Sequence, residues 1–279
     1  MLYEDRAVAF VDILGFKDLI NKTFDENGIE IEENTKKLNT FFKEVEREFC
    51  SEDKWSNLPD TCTRVVTHFS DSIVFSVKAQ QKDGILFLLD YIHYLLITGI
   101  QYGILFRGGI TYGKVVHTDK VIFGPAMIKA YSLESKSAIF PRIIIDDDVL
   151  KNTFKHKGPQ ADNKDVIRYL NTIVEKDVDG SFYINYFSNI VKQLEYPCDK
   201  HDYCERISNI IKKNITIIDQ LPVNKESKKL KQKYIWMKRK FNQMIKEFRE
   251  DLSFYPKEED FEGWFDLGNY WKTKKLFRL

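Results

Sequence analysis

The residues best suited to chemistry are two aspartates, each set against an apolar run. Asp12 follows Ala7 to Val11 in AVAFVDILGF, and Asp71 stands in HFSDSIVF between two β-rich segments. Carboxylates at strand ends are hard oxygen donors that can share a pair of divalent cations. In such a site one metal acidifies an attacking hydroxyl, while the other neutralises phosphates and a departing pyrophosphate. Gly15 follows Asp12 shortly before an amphipathic stretch, so the backbone amides of Ile13, Leu14, Gly15 and Phe16 open a helix and are suited to cradle phosphate oxygens. Singly, each aspartate has an ordinary reading: one ending a strand caps a helix, and one at a hairpin tip forms a turn. Their combination with the later runs Arg107-Gly108-Gly109-Ile110 and Gly124-Pro125-Ala126 is far more specific.

These residues must be held by a defined order of elements. The apolar run before Asp12 reads as a buried strand, followed by a tight turn and a helix. A second helix carries Leu38, Phe41, Phe42, Val45 and Phe49 at helical spacing. Thr63 to Phe69 and Ser72 to Val77 form a hairpin with Asp71 at its tip. A buried helix follows from Ile85, then a strand over Ile104 to Tyr112, whose glycines permit close approach. Val115 and Val116 and then Val121 to Phe123 bracket a charged turn, a helix runs to about Ser135, and Pro141 to Ile145 is a last apolar strand. This order predicts an α/β (α+β) ferredoxin-like sheet with helices on one face, spanning residues 1–150. Composition shifts after Leu150, so 151–279 reads as a C-terminal extension: a hairpin over Val166 to Tyr186, then mostly helix.

Composition restricts the partners. The 279 residues carry 43 Lys and Arg against 42 Asp and Glu, a balance that gives no global argument for nucleic acid or membrane. The apolar stretch Ile85 to Ile100 holds Asp90 and His93 and reads as a core helix rather than a span. The N-terminus does not read as a secretory signal, so a cytoplasmic location is expected. Four cysteines lack disulfide-framework spacing. Cys198, His201 and Cys204 lie close together, but a structural zinc site wants a fourth ligand. The segment Lys225 to Glu250 holds ten Lys or Arg and three acids. Its stripe of Leu230, Tyr234, Met237, Phe241, Met244, Ile245 and Phe248 favours packing over nucleic-acid contact.

The runs AFVDILGF, HFSDSIVF, LFRGGITYG and VIFGPAMIKAYSLES, over roughly residues 5 to 146, resemble the successive signatures of class III adenylate and guanylate cyclase domains. With RGGI, GPA, AYSLE, FPRIIID, DGSFYINYF and KYIWMKRKFN, the chain is most similar to the pyrimidine cyclases of bacterial Pycsar antiphage systems. The resemblance implies two Mg²⁺ or Mn²⁺ ions on Asp12, Asp71 and the Ile13 carbonyl, and a head-to-tail homodimer with shared sites. It also implies a cyclic uridylate or cytidylate product read by a separate effector.

Departures from the pattern matter. Ile128 and Ser132 occupy the slots of the usual Asn and transition-state Arg, so another cation must meet the developing charge. Arg107 is the favoured substitute, with Lys129 and Lys136 as phosphate ligands and Arg142 also in range. Thr67 stands where adenylate cyclases have Lys, and Val121 where they have Asp. Thr67 and Tyr112 are therefore the expected base-pocket residues, with UTP ahead of CTP. A different class of reading, a cyclase-shaped module that binds nucleotide without turnover, is motivated by Ile128 and Ser132.

Overall fold

The computed structural model describes residues 2–50, 63–159, 161–188 and 197–250. The chain divides into two compact units, Met1–Tyr186 and Phe187–Leu279. The first unit is built on β1 (Glu4–Leu14), whose residues from Arg6 to Val11 are all buried. A strand buried on both faces belongs at the centre of a sheet, and β1 lies between β3 (Ser72–Lys78) and β4 (Leu105–His117), antiparallel to both. With β2 (Val65–Phe69) the order of the first four strands is β2-β3-β1-β4, which is the split βαβ arrangement the element order predicts.

Helices α2 (Glu32–Cys50) and α3 (Gly84–Tyr102) cover one face. Their aromatic contacts show which residues point there: Phe49 of α2 meets Phe75 at 5.0 Å between ring centres, and Phe41 meets Phe106 at 6.1 Å. By length and composition α3 is apolar enough to cross a membrane. Here Leu88, Ile92 and Leu95 are fully buried in the core of this unit. The short helix α1 (Phe16–Asn21) follows Gly15.

The opposite face carries Val8, Phe10, Val74 and Val115, and α4 (Pro125–Ser132) sets Ala126 and Ala130 on them. α4 continues into a π-helical turn, Leu133–Ser137. Gly109 makes this close packing fit, since an added Cβ would stand 2.6 Å from Leu133 Cβ and 2.8 Å from the Ala130 carbonyl. The two-residue β5 (Ile122–Phe123) pairs back on the end of β4.

Beyond β6 (Ile143–Ile145), which runs parallel to β4, come α5 (Asp147–Lys155), α6 (Asn163–Ile173), β7 (Val174–Lys176) and β8 (Phe182–Ile184). The hairpin expected over Val166 to Tyr186 is thus half helix. Val166, Leu170 and Ile173 are buried at helical spacing, and Asp162 caps α6 by accepting from the Lys164 N–H. The remaining short hairpin turns at Asp177 to Gly180 and pairs with β6, covering an edge that would otherwise be open. In the second unit, α7 (Pro197–Asp219) and α8 (Lys225–Glu250) are long helices. Of the apolar stripe expected on α8, Met237, Phe241, Met244 and Ile245 are buried, joined by Trp236, whereas Leu230 is exposed. The Phe248, Cys198 and His201 side chains lie outside the described residues, and Cys204 is buried with its thiol pKa pushed up by burial.

Because the cavity at Gly109 is already filled, Gly109→Ala should destabilise the protein by about 1–3 kcal/mol through overpacking. The denaturation midpoint of the variant against wild type measures this; an unchanged midpoint would show that α4 is free to shift.

Candidate active site

Pairing brings the two aspartates together. Asp12 lies opposite Ser72 on β3 and opposite Arg107 on β4, and Asp71 immediately precedes Ser72 at the β2–β3 turn. The tight turn places Ser70 in the left-handed region at φ 55, and the Ile13 N–H donates to the Asp71 carbonyl at 2.8 Å. That bond fixes the hairpin tip to the end of β1.

Arg107 is drawn towards Asp12 rather than held free above it. Its Nε donates to Asp12 Oδ2 at 2.9 Å and lies 2.6 Å from Glu134 Oε1. The Glu134 side chain is only 5% exposed, and it sits in the π-helical turn, a local geometry that recurs at functional sites. Sequence reasoning missed Glu134. The signal was there, because Ala126, Ala130 and Glu134 recur every four residues and are all buried on the inner side of one helical segment.

The carboxylates of Asp12 and Glu134 meet at the guanidinium of Arg107, and the Asp71 backbone is tied to the end of the same strand. Such a cluster repels a triphosphate unless cations intervene. The donor set suits hard divalent ions. Among the described residues no group of three or more His, Cys, Asp or Glu side chains is placed to hold a metal alone. An ion here would therefore take further oxygens from phosphate, backbone or water, the usual habit of Mg²⁺.

The other expected residues are placed as follows. Gly15 caps α1 in the left-handed conformation at φ 72, and its carbonyl accepts from the Asp18 and Leu19 N–H groups. The Ile13 amide is committed to Asp71 and Leu14 lies opposite Leu105 within the sheet, so the turn at Gly15, which is exposed, and Phe16, which is partly buried, is the part of this segment left to offer backbone. Lys129 is ion-paired with Asp146 and Asp148, and its pKa is raised chiefly by the bond to Asp146. Lys136 is exposed in the π-helical turn. Arg142 is fully buried and bound to Asp177 and Asp179, so it ties β6 to the β7–β8 turn instead of facing a substrate. Ile128 is 67% exposed on α4.

Thr67 and Tyr112 are not brought together. Thr67 lies opposite Val74 and Tyr112 opposite Ala7; Val74 and Ala7 point to opposite faces of the sheet, and alternation along the strands carries the two candidates with them. The partner of Thr67 is instead His117, whose Nε2 lies 3.0 Å from Thr67 Oγ1. The end of β4 reaches over the sheet face, so that His117 Nδ1 also lies 2.7 Å from Ser76 Oγ. Arg6 Nε donates to the same Oγ at 2.8 Å. Arg6, Ser76 and His117 are all buried. Burial first, and the Arg6 charge second, lower the His117 pKa to about 4. The ring is neutral at pH 7. His117 carried no motif, and only the fold over Ser76 and Thr67 reveals it.

No family profile matches the chain, and no curated protein matches it. Solved structures do. One is a bacterial light-regulated adenylyl cyclase, at 17% identity over 68% of this chain and 94% of that one, with a TM-score of 0.40. Another is the catalytic core of a rhodopsin-guanylyl cyclase with converted specificity in complex with ATPalphaS, at 15% identity over 66% and 97%, TM-score 0.40. A third is a class III adenylyl cyclase-like ATP-binding protein from Pseudomonas aeruginosa, at 11% identity over 60% and 40%, TM-score 0.37. At these scores the likeness carries no conclusion about chemistry, which is read from this chain's own side chains.

The buried His117 has a consequence for pH. Unfolded, it titrates near 6.5; folded, near 4. Between those values the unfolded state binds the extra proton, so stability falls as pH drops from 6.5 to 4, by about 3 kcal/mol in total, and is unaffected by this group above pH 6.5. Urea unfolding of wild type and His117→Asn at pH 7, 5.5 and 4.5 isolates the effect. The variant should lose less stability on acidification; parallel pH profiles would contradict a depressed histidine.

Proposed function

We propose that this chain is a metal-dependent nucleotidyl cyclase that converts a pyrimidine nucleoside triphosphate, UTP before CTP, to its 3′,5′-cyclic monophosphate with release of pyrophosphate. The observation that carries this reading is the meeting of Asp12 and Asp71 at adjacent strand ends, joined through the Ile13 N–H and the Asp71 carbonyl, with Arg107 and Glu134 behind Asp12.

Asp12, Asp71 and the Ile13 carbonyl would hold Mg²⁺ or Mn²⁺. When bound, these ions lower the pKa of the ribose hydroxyl and neutralise charge on the phosphates. The chain's own part is positional. Arg107 holds the Asp12 carboxylate in one orientation, Glu134 holds Arg107, and the turn at Gly15 and Phe16 offers backbone near the phosphates. Thr67 and Val121, standing where the resembled purine cyclases carry Lys and Asp, support a pyrimidine. The product would act in the cytoplasm as a second messenger for a separate effector, in antiphage defence, an extension that follows the resemblance of the motifs.

Incubation with each of the four NTPs and Mn²⁺ tests the activity. UTP should give the most product. Asp12→Ala and Asp71→Ala should each lower turnover by at least about a hundredfold while remaining folded by circular dichroism. Turnover close to wild type in either variant, or cyclic AMP as the sole product, defeats the assignment. A second reading, nucleotide binding without turnover, is favoured by Ile128 and Ser132 in the slots of the usual polar groups. Binding of UTP with no product over long incubation would select it.

Completion of the site by a second copy is part of the proposal. Phe69 at the hairpin, and Ile128 and Tyr131 on α4, expose apolar surface at 77%, 67% and 55% on the sheet face that carries Asp12. Light scattering should report a dimer for wild type, and Ile128→Asp should shift it towards monomer with loss of activity. A fully active monomer would remove the shared site.

A further inference from the structure

The polar chain ending at Thr67 has a direction. An arginine Nε can only donate, and that of Arg6 donates to Ser76 Oγ at 2.8 Å. The guanidinium is held in place by Glu4 and by the carbonyls of Thr63 and Ser76. Ser76 is fully buried, so its own hydrogen must find an acceptor. Among the described residues that acceptor is His117 Nδ1, at 2.7 Å. A ring nitrogen that accepts carries no proton, so the neutral imidazole keeps its proton on Nε2. Nε2 in turn donates to Thr67 Oγ1 at 3.0 Å. The opposite tautomer would set the Ser76 and Nδ1 hydrogens against each other inside the protein. Thr67 is left with its hydroxyl hydrogen free to point away from His117, on the half-buried edge strand β2.

We propose that the buried chain Arg6, Ser76 and His117 sets Thr67 as a hydrogen-bond donor towards the base, so that the pocket accepts the 4-carbonyl of uracil and discriminates against the 4-amino group of cytosine. The proposal rests on the pyrimidine-cyclase reading and deepens it. Thr67 is the residue that touches the base; Arg6, Ser76 and His117 are positioning residues. A carbonyl oxygen accepts the Thr67 hydrogen directly. An amino group has only hydrogens to present, and either meets the Thr67 hydrogen head-on or takes the remaining Oγ1 lone pair and strands that hydrogen. An unmade hydrogen bond of this kind is worth on the order of tenfold in a rate or binding ratio. Only the side chain's polarity matters, so the inference is the same whichever protomer of a dimer supplies the aspartates to that nucleotide.

The test is kcat/KM for UTP and for CTP with Mn²⁺ on wild type, Thr67→Val, Thr67→Ser and Ser76→Ala, together with ¹⁵N NMR of the His117 ring. Wild type should prefer UTP by on the order of tenfold. Thr67→Val keeps the shape without the hydroxyl and should remove most of that preference; Thr67→Ser should retain it. Ser76→Ala lies one link behind His117, yet should also narrow the ratio, which a purely structural role would not do. The NMR spectrum should show a neutral ring protonated at Nε2. A wild-type preference for CTP, an unchanged ratio in Thr67→Val, or a proton on Nδ1 overturns the proposal. Should Ser76→Ala fail to fold, Thr67→Val and the ring tautomer still decide it. Product from none of the four nucleotides would defeat the cyclase reading instead. In that case calorimetric titration with non-hydrolysable UTP and CTP analogues reads the same discrimination, and equal Kd values overturn it.

Discussion

The placement of β1 between β3 and β4, buried on both faces, is the constraint on which the rest depends. A one-residue slip of this strand would exchange its two faces, moving Val8, Phe10 and Asp12 to the side that α2 and α3 cover. Both faces carry tightly packed partners, so the register is held from two sides. The polar residues of the strand stand only near its ends, Asp12 at one and Glu4 and Arg6 at the other. Each end anchors a polar grouping.

Those groupings answer opposite electrostatic demands. Around Asp12 the protein gathers acids, and the guanidinium of Arg107 is shared between Asp12 and Glu134. Carboxylates so placed suit the cation-assisted phosphate chemistry proposed above. Around Arg6 the charge is instead satisfied locally by Glu4 and two carbonyls, and the adjoining imidazole is kept neutral by burial and by that same cation. What reaches Thr67 is therefore a direction of hydrogen bonding rather than a charge. On the proposed reading the acidic end would bind through charge, while the neutral chain would supply selection through donor and acceptor pattern.

Glycine makes the covered face work. Gly109 lies opposite Phe10 on the central pair and is a point at which α4 and the π-helical turn closely approach the sheet. Without that approach Glu134 would not reach Arg107, because the turn that carries it follows directly from α4. The packing of one helix is in this way coupled to the orientation of a carboxylate on another element.

The sequence by itself determined the central strands, the order of elements in the first half, and the placement of the two aspartates at strand ends. These follow from apolar runs, turn residues and a hairpin, all local signals with short periods. It misread Val166 to Ile173 as strand, because short apolar runs do not separate the two periods until burial at every third or fourth residue is seen. Whether Thr67 and Tyr112 share a pocket was decided by register alone, since a residue's face depends on which neighbour it pairs with, and that pairing spans dozens of residues. The commitment of Arg107 to Asp12 and Glu134, the burial of Arg142, and the contact of His117 with Ser76 and Thr67 belong to tertiary structure for the same reason. Polar side chains choose partners by distance in space, and a single sequence records only their types and spacing along the chain.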